Sequence, residues 1–354
     1  MKRIGIITTG GDCSGLNWAI RNITTGGIAR GWTIVGIADG TDGLTGRVPA
    51  AINLTADAMP PEFARISGSI LKNGERNSYK KWAAGDYGRA IKSGIKKLGL
   101  DALVLIGGNG SLSLAYSNPG IYSSVQLICI PKTIDLDVPL TDRTIGFDTA
   151  VNELAKYCDQ LMLTARSHHR WFVVQAMGRG AGCLALNAGI AGGADAILIP
   201  EVKFRTENLI KHIKSLGRDY GIIVVSEGIK IRGHSGQPAE MIQRELARAG
   251  IPSSAEFPGH LQRAGDTVAT DRILAARFAN CALDAIENGE TLVMATLDGD
   301  AVKTVSLGEF FAAGETMEDP NIKSVAVANR FVSSSDPLLK MAVNSDIYVG
   351  ELKK

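Results

Sequence analysis

The sequence predicts an α/β protein of two doubly wound lobes with mainly parallel sheets, and three observations predict it. The chain has 354 residues, two to three times a typical domain, so two lobes are expected. Short β-branched runs alternate with helical patterns over most of that length, as in parallel sheets covered by helices. Glycine is in surplus, 41 of 354 residues, against a usual ~7%. With only 12 prolines, no Gly-X-Y period and no Gly/Ser tract, that surplus is neither collagen, linker nor disorder. It belongs where folded backbone needs freedom or close approach.

In chain order, the expected strands are Ile4–Thr8, Ala102–Ile106, Gln126–Ile130, Trp171–Ala176, Ala196–Ile199 and Gly221–Val225. Their nearly continuous hydrophobicity suits strands covered on both faces. Between them fall helices at Leu16–Ile23, Ala90–Leu98, Cys183–Ile190 and Thr270–Ile286. In the last, Ile273, Leu274, Phe278 and Leu283 keep near-helical spacing and Asp271 occupies the first turn. One lobe is expected from residues 1–139 with about 258–310, the other from 140–257 with about 311–354. Residues 291–354 carry no functional signal of their own.

Bulk numbers exclude several classes. A balance of 38 basic against 36 acidic residues, net +2, leaves no footprint for nucleic acid or a membrane surface. The five cysteines (Cys13, Cys129, Cys158, Cys183, Cys281) are odd in number and lack a CxxC, so a reduced, cytoplasmic chain is expected. The apolar run in MKRIGIITTGGD is too short for a signal peptide. The longest apolar stretch, Cys183–Pro200, is broken by Asn187, Asp195 and glycines and does not span a bilayer.

Three expected strands end in glycine-rich turns that open helices: Gly10-Gly11-Asp12-Cys13-Ser14-Gly15, Gly107-Gly108-Asn109-Gly110-Ser111 and Gly178-Arg179-Gly180-Ala181-Gly182. Glycine there permits positive φ and lets N–H groups approach an anion beside a helix N-terminus. None fits the GxGxxG or Walker A pattern, and a single such turn is as often tight packing. Three at strand C-termini point to a phosphate-bearing ligand, because open α/β sheets bind at that edge. A fourth strand end reads Pro131-Lys132-Thr133-Ile134-Asp135-Leu136-Asp137. In extended chain the two carboxylates share one side. One can accept a proton from an attacking hydroxyl while the other orients Mg²⁺-bound phosphate. A bare DxD also occurs as a solvated acidic loop, and the phosphate turns at the same edge weigh against that here.

The ordered blocks GGDCSGLN (Gly10–Asn17), IGGNGS (Ile106–Ser111), PKTIDLD (Pro131–Asp137) and IGFDTAV (Ile145–Val151) resemble the phosphofructokinase family. So do SHHRWFVVQAMGRGAG (Ser167–Gly182), AGGADAILIPE (Ala191–Glu201), SEG (Ser226–Gly228) and GHLQRAG (Gly259–Gly265). The likeness runs to about residue 290. It implies an active site in the cleft between a donor-binding lobe (1–139, 258–310) and a sugar-phosphate lobe (140–257, 311–354). It implies transfer from a nucleoside triphosphate or pyrophosphate to the 1-hydroxyl of fructose 6-phosphate. By that likeness Asp135 is the proton acceptor, with Thr133 alongside, Asp137 near metal and phosphates, and Arg179 neutralising the transferring group. Gly11, Gly108, Gly110, Ser111 and Lys132 would meet the donor phosphates. Met177, Gly178 and Glu227 would hold the sugar, and His260 and Arg263 its 6-phosphate, with Arg170 reaching from a neighbouring subunit. A homodimer or homotetramer follows, with Mg²⁺ as cofactor. Phosphoryl transfer does need positioning and charge stabilisation above all.

Departures matter too. Asn109 stands at the family's metal-associated acidic position, and a neutral amide is a poorer Mg²⁺ partner. Gly110 matches users of ATP, whereas Lys132 is the residue of pyrophosphate users and of some ATP users. Thr41 replaces a tyrosine near the adenine, Leu71 replaces a phosphate-bridging arginine with Lys72 and Arg76 close by, and Leu136 replaces an asparagine. Ser254 stands where a second cross-subunit arginine is usual. Its loss removes a charge-assisted bond of roughly 1.5–3 kcal/mol. Of the effector arginines, Arg21 remains while Thr25 replaces another, so control of that kind is not expected. The expected activity is an ATP-dependent 6-phosphofructokinase. The alternatives are a pyrophosphate-dependent enzyme, a kinase of another sugar phosphate such as sedoheptulose 7-phosphate, and a non-catalytic family member.

Overall fold

The computed structural model describes residues 1–74, 86–230, 235–315, 337–344 and 347–350. All six expected strands form, with no end displaced by more than one residue: β1 Arg3–Thr8, β4 Ala102–Gly107, β5 Gln126–Pro131, β6 Trp171–Ala176, β7 Ala196–Leu198 and β8 Gly221–Ser226. Five more join them: β2 Thr33–Ile37, β3 Ala51–Leu54, β9 Ser253–Glu256, β10 Val293–Asp298 and β11 Ala301–Ser306. β3 and β9 have only four residues each with exposed or half-exposed positions, and β11 alternates, so no continuous apolar run marks these three.

Close packing of the backbone divides the chain into two units. The first holds the described residues among 1–133, 138–149 and 263–315, the second those among 134–137, 150–262 and 337–350. The first unit carries a seven-stranded sheet in the order β11-β10-β5-β4-β1-β2-β3. Its five inner strands run parallel, and β3 and β11 are antiparallel edges. The hairpin turn at Gly299–Asp300 thus gives residues 293–306 a place beside β5. The second unit carries an all-parallel sheet, β7-β8-β6-β9.

Burial on both faces is what holds the inner strands. In β4 and β5, Leu103, Leu105, Leu127 and Cys129 lie on one face and Val104, Ile106, Ile128 and Ile130 on the other, all buried. The first set packs against Ile91 and Ile95 of α2 (Asp86–Leu98) and Leu112 of α3 (Asn109–Ser117). α1 (Leu16–Ala29) lies against α8 (Ala269–Glu287). Of the apolar stripe expected in α8, Leu274, Phe278 and Leu283 are buried, but Ile273 is 60% exposed. Ala275, Ala279 and Ala282 fill the buried face in its place, because only small residues allow α1 to approach closely. In the second unit, Trp171, Val173, Ile223 and Val225 pack on α6 (Thr206–Ser215) and α7 (Pro238–Arg248). The remaining helices are α4 (Phe147–Ser167), α5 (Cys183–Ala191), α9 (Leu307–Glu315) and α10 (Pro337–Asn344). No helix among the described residues is long and apolar enough to cross a membrane. All five cysteines are free thiols.

Candidate active site

In the first unit the C-terminal ends of β1, β4 and β5 are neighbours, and each carries an expected phosphate residue. The loop after β1 is held by its carbonyls. Lys132 Nζ donates to Thr9 O at 2.9 Å and also to Gly11 O. The Asn73 amide donates to Gly10 O at 3.0 Å. Arg263 Nη1 donates to Asp12 O at 3.0 Å, and the Gly68 N–H to Cys13 O at 3.2 Å. Five successive carbonyls are therefore occupied. The trans peptide sets each following N–H opposite its carbonyl, and the N–H groups of residues 10–14 donate to nothing among the described residues. An array of such N–H groups after a strand is an anion nest.

Gly10 takes φ 76°, the left-handed region that such a loop requires. A Cβ at Gly10 would lie 3.5 Å from Ser111 Oγ and 3.7 Å from Lys132 Nζ, so the loop, the first turn of α3 and Lys132 form one cluster. Gly108 caps α3, and nothing stands within 4 Å of a Cβ at Gly110. Gly11 has a reason the sequence did not supply. A Cβ there would stand 2.5 Å from Arg263 Nη1, so glycine makes room for the guanidinium. Arg263, expected beside a sugar phosphate, lies on this loop. Thr133 is buried, and its carbonyl accepts from Thr144 Oγ1 at 2.7 Å. Asn109 Oδ1 accepts from Ser113 Oγ at 3.3 Å.

The second unit gathers other expected residues around the end of β6. Met177 N donates to Gln262 Oε1 at 2.9 Å. Gly178 N and Arg179 N both donate to Glu227 Oε1, at 3.1 and 2.7 Å. Glu227 thus caps the turn that presents Arg179, a residue held at φ 54°. Arg170 Nη1 donates to Ser254 Oγ at 2.9 Å across the β6–β9 pair, so the residue in place of the usual arginine orients the one that remains. His260 is exposed, in the short helix Gly259–Arg263. Asp135 is buried. The segment Ile134–Asp137 is not extended, since Leu136 takes φ 53°. Two-residue alternation therefore does not decide where the Asp135 and Asp137 carboxylates point. Asparagine adopts that φ more readily than leucine does, and Leu136 is buried in it. Arg76 lies outside the described residues.

Several contributors escaped the sequence reading. Gln262 is buried in the GHLQRAG block, and Asn73 and Gly68 reach the first loop from a distant segment. Glu201 is half-buried with its Oε2 atom shut off from solvent; Oε1 accepts the Gly182 N–H at 2.6 Å, and burial pushes the carboxyl up to about 7. Asp271 is wholly buried on α8. It accepts from Gly146 N, Thr149 N and Thr149 Oγ1 at 2.9, 2.8 and 2.6 Å, and burial outweighs these bonds to raise it to about 6. Only its place in a first turn could have drawn attention to it.

A family model described as phosphofructokinase matches residues 3–286. The chain belongs to the phosphofructokinase family. It is 38% identical to the ATP-dependent 6-phosphofructokinase of Thermosynechococcus vestitus, over 99% of this chain and 93% of that one. It is also 37% identical to the pyrophosphate–fructose 6-phosphate 1-phosphotransferase of Dictyoglomus thermophilum, over 86% of this chain and 92% of that one. Among solved structures, phosphofructokinase from Saccharomyces cerevisiae superposes with a TM-score of 0.84 at 26% identity. That match covers 96% of this chain, which spans 50% of the yeast chain. The two-unit, mainly parallel architecture is thus that of phosphofructokinases, and both kinds of donor occur among the relatives.

Proposed function

We propose that this phosphofructokinase-family chain transfers a phosphoryl group from ATP to the 1-hydroxyl of fructose 6-phosphate. The observation that carries the reading is the loop after β1, with five carbonyls tied down and N–H groups 10–14 uncommitted beside the N-terminus of α3. Such a cradle suits the oxygens of a polyphosphate. In this reading the first unit binds the donor through Gly11, Gly108, Gly110 and Ser111. The second supplies the sugar contacts Met177, Gly178 and Glu227 and the phosphate contacts His260 and Arg170. Asp135 accepts the proton of the attacking hydroxyl beside Thr133, and Arg179 offsets charge on the transferring group.

No group of three or more His, Cys, Asp or Glu side chains able to hold a metal occurs among the described residues. A Mg²⁺ ion would therefore arrive with the donor phosphates, which suits a cation that keeps water and takes one or two carboxylates. Asp137 is the carboxylate assigned to it, with Asn109 a weaker neighbour. When bound, the ion neutralises charge on the phosphate oxygens. A specific observation also favours pyrophosphate as donor: Lys132 stands in the phosphate cluster, and a close relative bears that activity in its name. The same reading includes a homo-oligomer in which Arg170 serves a neighbour's site, and a cytoplasmic location in keeping with five free thiols.

The test is a coupled assay crossing ATP, GTP and pyrophosphate against fructose 6-phosphate, sedoheptulose 7-phosphate and free sugars, with Mg²⁺. Turnover of fructose 6-phosphate with ATP is expected. No turnover with any pair would mean a non-catalytic member. Asp135→Asn should lower kcat by about 10²–10⁴ with KM little changed. Retained activity would remove Asp135 as the proton acceptor.

A further inference from the structure

We propose that Gln262 is a positioning residue for the sugar phosphate. Its buried carboxamide takes the place of a strand neighbour at the end of β6 and fixes the Met177 backbone against the short helix that carries His260. The inference rests on the reading of Met177, Gly178 and His260 as sugar-phosphate contacts. Gln262 is 2% exposed. Its Oε1 accepts the Met177 N–H at 2.9 Å, and its Nε2 donates to Gly259 O at 3.1 Å and to Gln175 O at 3.5 Å. The carbonyl oxygen and both N–H groups of the carboxamide thus find partners, as a buried amide requires.

The register of β6 against β9 shows why a side chain is needed there. Trp171 lies opposite Ser253 and Val173 opposite Ala255, and the Trp171 N–H donates at 3.0 Å to Pro252 O, the residue before its partner. Continued along β6, that parallel ladder would bond Gln175 O and the Met177 N–H to the backbone N and O of residue 258. Residue 258 is proline, which has no N–H to give. Its carbonyl is taken by the Leu261 N–H at 3.1 Å. Backbone pairing therefore stops, and the Gln262 carboxamide bonds the two groups left on that edge. On the opposite edge the Glu227 N–H donates to Ala176 O at 2.9 Å, and the Glu227 carboxylate accepts from Gly178 and Arg179. The turn after β6 is thus gripped from both sides. The remaining Gln262 bond, to Gly259 O, closes around His260, which lies between the two bonded residues.

Two substitutions test this. Methionine copies the stem without the amide, whereas glutamate copies the shape, keeps an acceptor for the Met177 N–H and gives up at least one donor. In Gln262→Met, the KM of fructose 6-phosphate should rise about tenfold or more, with kcat and the KM of the phosphoryl donor changed less than about threefold. A donor KM that rises in step, or a sugar-phosphate KM that stays put, overturns the proposal. Hydrogen exchange of the ligand-free protein reads the bond without any turnover. The Met177 amide should exchange about tenfold faster or more in Gln262→Met, and within about threefold of wild type in Gln262→Glu. Equal exchange in wild type and the Met variant, or equal loss of protection in both variants, shows that Gln262 does not hold this edge. Failure of the proposed function would show differently, as wild-type protein without turnover, and the exchange comparison would then decide the inference by itself.

Discussion

Glu201 illustrates how burial by itself sets the charge of a side chain. One oxygen accepts the Gly182 N–H, the other has no partner among the described residues, and the carboxyl is raised to about 7. Its ordinary value is 4.5, so folding favours the protonated form. The stability it contributes is complete below that ordinary value and is lost as pH rises through about 7. Melting temperature should therefore climb as pH falls from about 8 to 6. Glu201→Gln, which cannot ionise, should flatten that part of the profile and melt above wild type at the alkaline end. An unchanged profile would show that Glu201 titrates normally. Gly11 makes a complementary point. Its motif suggested contact between backbone and phosphate, whereas its lack of a Cβ also admits the Arg263 guanidinium.

At the scale of elements, one side chain fixes the start of α4. Asp271, in the first turn of α8, accepts two backbone N–H groups and a hydroxyl from Gly146 and Thr149. The Thr149 hydroxyl in turn accepts the Val268 N–H at 3.2 Å. This cap comes from a helix more than a hundred residues away in sequence. Asp271→Ala would strand buried donors, at about 1–3 kcal/mol for each, and should lower unfolding free energy by about 2–5 kcal/mol. Urea unfolding measures this, and a loss below about 1 kcal/mol would mean that water replaces the cap. Glu227 works in the same way on the turn after β6, where both N–H groups it accepts belong to the residues that present Arg179.

For the whole molecule, the proposal that Arg170 completes a neighbour's site predicts complementation. Arg170→Ala and Asp135→Asn should each be nearly inactive alone. Mixed dimers of the two contain one site with both native residues, so co-expression should restore roughly a quarter of wild-type activity. No recovery, with light scattering showing an oligomer, would confine Arg170 to its own subunit. The Arg170–Ser254 bond fixes the guanidinium within that subunit in either case.

Much of this protein was legible without coordinates. Apolar runs such as Ala102–Ile106 and Gly221–Val225 became inner strands, because burial on both faces leaves no polar position to interrupt them. Glycine turns after β1, β4 and β6 marked the ends that carry the phosphate and sugar candidates, and the ordered motifs named the family. The hairpin at 293–306 was missed because β10 has polar residues toward its end and the edge strand β11 has no buried residue to mark it, although Asp298-Gly299-Asp300 was a usable turn signal. The sequence by itself determined the fold class, the family and the cast of polar residues, since periodicity and motif spacing are local properties. The tertiary structure alone decided what those residues do to one another. Lys132 turns onto carbonyls, Arg263 fills the space over Gly11, Leu136 is held out of the extended region, and Glu201 and Asp271 are stripped of water. Those outcomes depend on contacts between segments far apart in the chain, and desolvation and steric fit exist only once the segments meet.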